Sequence, residues 1–112
     1  MNAHDFLPLS APMYAVLITI GDGAMHGLGI IQTFEESTGQ SGALLPGSLY
    51  NTIARMSKQG LLEEVAPPIG DRDDRKRYYA VTELGRAVRS AESARLRTLL
   101  ALADRGGLAP SS

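Results

Sequence analysis

A short amphipathic segment at residues 46–62 constrains the fold of this chain more than any other stretch. Leu49, Ile53 and Met56 recur with the period of an α-helix, which places them on one face. A proline is tolerated in the first turn of such a helix, and a glycine after the last turn favours its end. The segment is therefore predicted to be a helix with a buried face and a polar face that could enter a DNA groove. The pattern alone does not establish that function.

The composition indicates one globular domain. The chain has 112 residues, of which 44% are hydrophobic, and it contains no cysteine. The lack of cysteine excludes disulfide scaffolds and zinc sites built on thiolates. Pro8 and Pro12 interrupt the first apolar run, and no apolar run is long enough to span a bilayer. We therefore expect a cytoplasmic protein with no signal peptide and no membrane association.

The charges are distributed unevenly along the chain, although the net charge is only −1. Residues 1–54 contain four acidic residues and no lysine or arginine, whereas residues 55–112 contain 11 basic and 8 acidic residues. Local basic patches decide contact with nucleic acids more than total charge does. Any such patch is expected at and after Arg55.

The first half of the chain reads as an arm followed by two helices. Residues 1–9 are predicted to be an irregular arm or a short extra segment. The apolar run 13–20 fits a buried strand or a buried helix by periodicity, and Ser10 as an N-cap favours the helix. Residues 27–38 are predicted to form a second helix, which Gly39 ends.

The second half reads as a hairpin followed by a long helix. Residues 62–65 and 76–81 have strand composition and are separated by a charged, proline-containing loop. Thr82 is a suitable N-cap for a last helix that continues to about Asp104, a length of about 33 Å. A domain this small cannot cover the whole of that helix, so its second half is expected to need a partner.

The order of elements predicts a mainly α fold with a small β-hairpin, that is, a winged helix-turn-helix with a long C-terminal helix. We expect an arm at residues 1–9, a DNA-binding winged helix-turn-helix domain at 10–82, a dimerisation helix at 83–105 and a flexible tail at 106–112. The apolar stripe of the last helix could be core, but its length favours a dimer seam. The residues assigned to this seam are Leu84, Val88, Ala91, Leu96, Leu99, Leu100 and Ala103.

Four short motifs resemble the PadR family of bacterial transcriptional regulators. They are HGLGI at residues 26–30, PGSLY at 46–50, GLLE at 60–63 and RYYAVTELG at 77–85. The motifs occur in the family's order and cover roughly residues 8–105, in the manner of its compact PadR-like subgroup. The resemblance implies a dimeric winged-helix DNA-binding protein, usually a repressor, that is released by a small molecule or a stress signal. Dimerisation in the family uses the C-terminal and N-terminal helices.

Two motifs depart from the family pattern, at three positions in all. Leu28 stands where an aromatic residue usually follows the His-Gly pair, and Gly29 occupies a position where a polar residue is common. Asn51 stands where proline is frequent. The first departure could loosen the start of a helix, and the second could add a hydrogen-bonding side chain to the DNA face.

The third helix supplies four candidate DNA contacts, each with a simpler structural alternative. Ser48 either stabilises the start of the helix or donates to a phosphate, and Tyr50 is either a packing residue or a phosphate contact. Asn51 and Arg55 lie one turn apart and suit adenine and guanine in the major groove, respectively, unless they are merely solvated.

The hairpin supplies the wing contacts. Its basic residues are Arg72, Arg75, Lys76 and Arg77. They are expected to lie over a minor groove or the DNA backbone, with a moderate contribution because three aspartates in the same loop offset their charge. Those aspartates lack the glycine-bearing ligand loop of a calcium site, so no metal site is predicted.

No catalytic constellation or cofactor motif emerges from the sequence. No Ser–His–acid or Cys–His set is apparent, and the Gly-x-Gly pairs lack the setting of a dinucleotide fingerprint. His26 is expected to be a residue at a helix start. We therefore predict a non-enzymatic homodimer, without cofactor, that binds a pseudo-palindromic operator in double-stranded DNA. A pocket between subunits could admit a small apolar effector. The alternative is a winged helix that binds a protein instead of DNA.

Overall fold

The computed structural model describes residues 2–42, 44–70 and 76–106. The chain folds into helices around a small antiparallel sheet, which confirms the predicted winged helix-turn-helix class. The elements in chain order are a 3-10 helix at Ala3–Phe6, α1 at Ala11–Ile20, β1 at Ala24–His26, α2 at Gly27–Thr38, α3 at Pro46–Lys58, β2 at Leu62–Val65, β3 at Tyr78–Val81 and α4 at Glu83–Arg105.

Local signals set the ends of the helices as expected. The Ser10 hydroxyl accepts a hydrogen bond from the Met13 amide at 3.3 Å, which caps α1 and confirms the helix at residues 13–20 over a strand. Gly21 follows α1 with a φ of 62°, a conformation that glycine adopts at little cost. Gly39 ends α2 in the left-handed region, as predicted.

The sheet contains one strand that the sequence did not reveal. Strand order is β1–β3–β2, so β3 is central, and His26 of β1 lies opposite Tyr78 of β3. A three-residue strand is too short to show alternation, and its pairing depends on a segment some fifty positions away. The predicted hairpin of β2 and β3 is confirmed, with Leu62 opposite Val81, although β3 begins at Tyr78 and not at residue 76.

Of the two alternatives for the N-terminal arm, the structure shows a short extra segment, the 3-10 helix, and this arm is tied to α4. The Leu9 amide donates a 3.0 Å hydrogen bond to Oε2 of Glu92, whose side chain is only 2% exposed. The Arg95 guanidinium binds both oxygens of the same carboxylate, at 2.5 and 3.0 Å. A buried carboxylate therefore joins the arm to the middle of α4.

A single apolar core anchors α3. Leu49, Ile53 and Met56 are almost fully buried, as the helical period predicted, and they pack with Leu17 of α1 and Val88 of α4. Burying a side chain of this size contributes about 1.5–3 kcal/mol. The inner face of α3 is thus held by the core, while its outer face remains free to contact a ligand.

A compact junction joins the end of α3 to the wing and to α4. The Thr82 hydroxyl donates to the Gly60 carbonyl at 2.5 Å and accepts from the Gly85 amide at 3.0 Å. The first turn of α4 approaches so closely that a Cβ on Gly85 would lie 2.7 Å from Cγ1 of Val81 and would overlap the Leu61 carbonyl oxygen. We call these residues the Thr82 junction.

The apolar stripe of α4 divides between the subunit core and the surface. Val88, which the sequence assigned to the dimer seam, is fully buried in the core of this chain, and Leu84 packs partly buried against the same core. Further along, Leu96, Leu99 and Leu100 are 37%, 49% and 64% exposed. The core ends where α4 leaves the body of the domain, and the sequence pattern does not mark this change.

The two alanines assigned to the seam and the predicted C-terminal tail complete the description of α4. Ala91 and Ala103 are half-buried on α4. The predicted tail lies beyond the described residues from position 107 onward. None of the described helices is both long and apolar enough to cross a membrane.

The Thr82 junction predicts that Gly85→Ala is strongly destabilising. The added methyl group would meet backbone and a buried valine, and such overpacking costs about 1–3 kcal/mol. Urea unfolding followed by circular dichroism measures the loss. Gly47→Ala is the control, because a Cβ there meets nothing within 4 Å. Equal stability of both variants would contradict the close approach.

The buried carboxylate predicts a pH-dependent stability. The Arg95 guanidinium, aided by the Leu9 amide, holds the pKa of Glu92 below its ordinary value of 4.5 against the effect of burial. A lowered pKa stabilises the fold above pH 4.5, and this contribution is lost as pH falls through the folded-state pKa.

Glu92→Gln should therefore reduce the free energy of unfolding by about 1–2 kcal/mol at pH 7, since it removes a charge-assisted pair that is partly exposed. The difference from wild type should shrink as pH falls below 4.5. Glu36→Gln, at an exposed site, is the control. A difference that stays constant between pH 7 and pH 3 would rule out the carboxylate as its source.

Candidate nucleic-acid interface

The outer face of α3 carries the residues that the sequence singled out. Ser48, Asn51 and Arg55 are all exposed, on the side opposite the buried stripe. Ser48 lies in the first turn, where its carbonyl accepts the Thr52 hydroxyl at 2.9 Å. The N-cap residue of α3 is Leu45, whose side chain accepts no hydrogen bond. No side chain therefore caps the first amide groups of the helix. The structure brings these three side chains together on one solvent-facing surface.

This surface is basic and not acidic. The sequence of α3 contains Arg55 and Lys58 and no acidic residue. Basic side chains in the last turn also complement the carbonyl end of the helix. The face therefore attracts an anionic partner, in contrast to the acidic first third of the chain.

The wing contributes two more exposed cations among the described residues. Lys76 and Arg77 precede β3, and Nη1 of Arg77 lies 3.1 Å from Oε1 of Glu64 on β2. Both partners of this ion pair are more than half exposed, so the pair is weak and Arg77 can exchange it for another anion. The predicted wing residues Arg72 and Arg75 lie outside the described residues.

A groove runs between the start of α2, α3 and the base of the wing. Its volume is about 530 Å³. The lining residues come from β1, α2, α3, β3 and the segment before β3, and they are His26, Gly27, Leu28, Tyr50, Lys76, Arg77 and Tyr79. We call this cavity the Tyr50 groove. It combines two phenol rings with two cations, a combination suited to an anionic ligand.

Tyr50 lies directly against the first residue of α2. A Cβ on Gly27 would be 2.5 Å from Cε1 of Tyr50 and 3.2 Å from its hydroxyl oxygen. The Tyr50 side chain is nevertheless 53% exposed. Tyr50 is therefore both a packing residue and an accessible hydrogen-bonding group, so the two alternatives drawn from the sequence are compatible.

Tyr79 is a second hydroxyl in the groove, which sequence reasoning missed. Burial raises its pKa, and the carboxylate of Glu64 raises it further, while Arg77 lowers it and Tyr50 adds a small increase. The group therefore stays protonated near neutral pH and can donate a hydrogen bond. Its position beside Tyr50 follows from the pairing of β3 in the sheet.

His26 is the N-cap of α2, which agrees with its predicted place at a helix start. Its Nδ1 accepts a hydrogen bond from the Gly29 amide at 3.1 Å, so the imidazole caps the helix with that nitrogen unprotonated. The ring meets Tyr78 edge-on, with centroids 5.3 Å apart. In the sequence, the side of the groove formed by the start of α2 was indicated by the His-Gly pair of the first motif.

Comparison with protein families supports the same interpretation. A model described as the transcriptional regulator PadR-like family matches residues 16–91, which is more than half of the chain. The chain belongs to this family. PadR-family members are DNA-binding transcriptional regulators and not enzymes, so the protein is a DNA-binding regulator, as its motifs suggested. No curated protein sequence matches the chain.

Solved structures share the fold at low sequence identity. A PadR family transcription regulator from Clostridium difficile aligns with a TM-score of 0.73 at 17% identity, over 86% of this chain and 97% of that chain. RosR from H. salinarum aligns with a TM-score of 0.65 at 24% identity, over 93% and 99% of the two chains. BpsR from Bordetella bronchiseptica aligns with a TM-score of 0.64 at 24% identity, over 92% and 70%.

Proposed function

We propose that this PadR-like protein is a homodimeric repressor that binds a pseudo-palindromic operator through α3 and the wing. The observation that carries the proposal is the exposed polar face of α3, which has no acidic residue and lies beside the Tyr50 groove. Its opposite face is fixed in the core, so binding does not require the helix to rearrange. A neutral or acidic outer face on α3 would instead favour binding to a protein.

Two residues of α3 are proposed to read bases. Asn51 and Arg55 are exposed and lie one turn apart, which lets both reach base edges when α3 enters the major groove. Asparagine can pair with adenine through two hydrogen bonds, and arginine with guanine. Asn51 thus gives the chain a donor and acceptor where its relatives often carry proline.

The remaining residues are proposed to bind the backbone. Ser48 and Tyr50 offer hydroxyl groups near the start of α3, and Lys76 and Arg77 offer cations from the wing. Such contacts fix the register of the protein on the duplex but carry no sequence information themselves. Arg75 lies outside the described residues, so its proposed contact from the wing rests on the sequence.

The second half of α4 is proposed to form the dimer seam. Leu96, Leu99, Leu100 and Ala103 follow the i, i+3, i+4, i+7 pattern of a helix face, and the three leucines are exposed. Ile18 of α1 adds a further exposed apolar side chain next to Leu96. A second copy of the chain would cover this face and would hold two recognition helices about 34 Å apart.

Relief of repression by a small apolar molecule is proposed at the same seam. A cavity of about 290 Å³ lies between α1 and α4, lined in part by Leu9, Tyr14, Ile18 and Leu96. An occupant would contact the apolar face proposed to meet the partner subunit, and it could thereby alter the spacing of the two α3 helices. In Bordetella bronchiseptica BpsR, DNA binding is regulated by 6-hydroxynicotinic acid.

DNA binding should weaken with salt and depend on α3. A duplex selected from genomic fragments should bind in fluorescence anisotropy, with affinity that falls as counterion release becomes less favourable at higher salt. Arg55→Ala should lose a base contact worth about 1–3 kcal/mol, or roughly fivefold to 150-fold in affinity. Tyr50→Ala should also weaken binding, and neither change should dissociate the dimer.

Arg105→Ala is the matched control, because Arg105 is exposed in the last turn of α4, far along the chain from α3. Unchanged affinity in both α3 variants would show that the assigned residues are wrong. Failure of the wild type to select any genomic fragment would favour the protein-binding alternative.

The dimer seam predicts that a charge in the leucine stripe separates the subunits. Sedimentation equilibrium should show a dimer for the wild type and a monomer for the double variant Leu99→Glu, Leu100→Glu, with unchanged helical content. Thr98→Glu is the control, because Thr98 is exposed on the opposite side of α4. A dimer that survives both leucine substitutions would place the seam elsewhere.

A further inference from the structure

Gly27 has a steric role that the DNA-binding function does not explain by itself. Gly27 is buried at the first position of α2, and the space a side chain would occupy is taken by the Tyr50 ring. A Cβ would come within 2.5 Å of Cε1 and 3.1 Å of Cζ of that ring. Cβ atoms essentially never approach other atoms that closely. The observed position of Tyr50 is therefore possible only with glycine at residue 27.

The contact with Gly27 concerns the Tyr50 side chain, which otherwise faces solvent. Slightly more than half of the Tyr50 side chain is exposed, so solvent and not protein surrounds its other side. An exposed tyrosine otherwise exchanges between rotamers and loses that freedom on binding. In the free protein the ring lies against the start of α2, in the space that a side chain at residue 27 would occupy.

The orientation matters because other groups converge on the same place. Tyr50, Tyr79, Lys76 and Arg77 come from α3 and from the base of the wing, and all four line one groove. The phenol of Tyr50 is close enough to Tyr79 to affect its protonation. Two hydroxyl donors and two cations around one cavity match the needs of a single phosphate group, which offers several strong acceptor oxygens.

We propose that Gly27 is a positioning residue that holds the Tyr50 hydroxyl in place, so that Tyr50 and Tyr79, with Lys76 and Arg77, bind one backbone phosphate of the operator. The proposal rests on the proposed DNA-binding function. It adds Tyr79 to the contacting residues and gives a role to the glycine of the His-Gly pair. It also explains why Tyr50 is accessible although it packs against α2.

An alanine at this position should leave the fold intact. The atoms that a new methyl group would meet belong to the outer end of an exposed ring, which can swing into solvent. At Gly85, by contrast, the obstruction is backbone. Moving the Tyr50 ring to ordinary contact distance shifts its hydroxyl by about 1 Å or more, which is enough to break a hydrogen bond of ordinary length.

The test is a double-mutant cycle on operator affinity. Gly27→Ala and Tyr50→Phe should each weaken binding about threefold to tenfold, the range expected for one hydrogen bond. The double variant should bind no more weakly than Gly27→Ala alone, because the hydroxyl is already displaced. Gly29→Ala, in the same helical turn, is the control, since the atoms nearest to its Cβ are His26 ring atoms at 3.4 Å or more.

Two outcomes of the cycle would overturn the positioning role. The first is a Gly27→Ala variant that binds like the wild type. The second is a double variant in which the separate losses multiply. Thermal unfolding of each variant checks that the fold survives, and a loss of stability in Gly27→Ala greater than in Gly29→Ala would also contradict the account.

A second measurement does not depend on DNA. Nuclear Overhauser contacts between the Tyr50 ring and the Gly27 α-protons should be present in the free wild type, and the ring should move away from residue 27 in Gly27→Ala. Absence of the wild-type contact overturns the positioning role whatever the protein binds. If the contact is present but the wild type binds no DNA, the proposed function and the phosphate role both fail.

Discussion

The close approach at the Thr82 junction is the constraint on which the rest of the structure depends. One hydroxyl, from Thr82, accepts a hydrogen bond from the Gly85 amide in the first turn of α4 and donates to the carbonyl of Gly60, just after α3. The Thr82 amide adds a bond to the Leu61 carbonyl at 3.1 Å. Gly85 allows the two backbones to come this close. The start of α4 is consequently held close to the end of α3 by backbone contacts and by the short Thr82 side chain.

This rigidity has a functional consequence. In a dimer built on the second half of α4, the position of each recognition helix relative to the symmetry axis is transmitted through the junction. The Glu92 carboxylate reinforces the same helix from the other side by holding the N-terminal arm at Leu9. A ligand that moves α4 at the seam would thus also change the distance between the two α3 helices, because the junction between α4 and α3 is rigid.

Electrostatics in this chain are local. With a net charge of −1, the protein as a whole does not attract DNA strongly, and the basic residues near α3 and the wing are the proposed source of the attraction. The Arg77–Glu64 pair moderates the wing. Affinity is therefore expected to come from a small number of oriented contacts, which makes the placement of Tyr50 by Gly27 more important than in a strongly basic protein.

The sequence predicted the features that depend on local signals. The period of Leu49, Ile53 and Met56 located α3 and its buried face, and Ser10 and Thr82 marked helix starts. Features that depend on distant contacts were missed. The strand β1 exists only through its pairing with β3, and Tyr79 reaches the groove only because of that pairing.

The assignment of α4 shows the same limit. Val88 and Leu99 belong to one apolar stripe, yet the first is fully buried and the second is half exposed. Whether a stripe residue meets its own core or a second subunit depends on where the other helices end. The need for glycine at residue 27 is likewise set by the Tyr50 ring, which lies on another helix.

Hydroxyl-radical footprinting of the wild type on a selected operator tests the central claim most directly. The claim is that α4 and the Thr82 junction place two recognition helices in successive major grooves on one face of the duplex. The account predicts two protected regions with centres about 10 base pairs apart, related by the symmetry of the site. One isolated protected region, or protection spread evenly along the duplex, would contradict it.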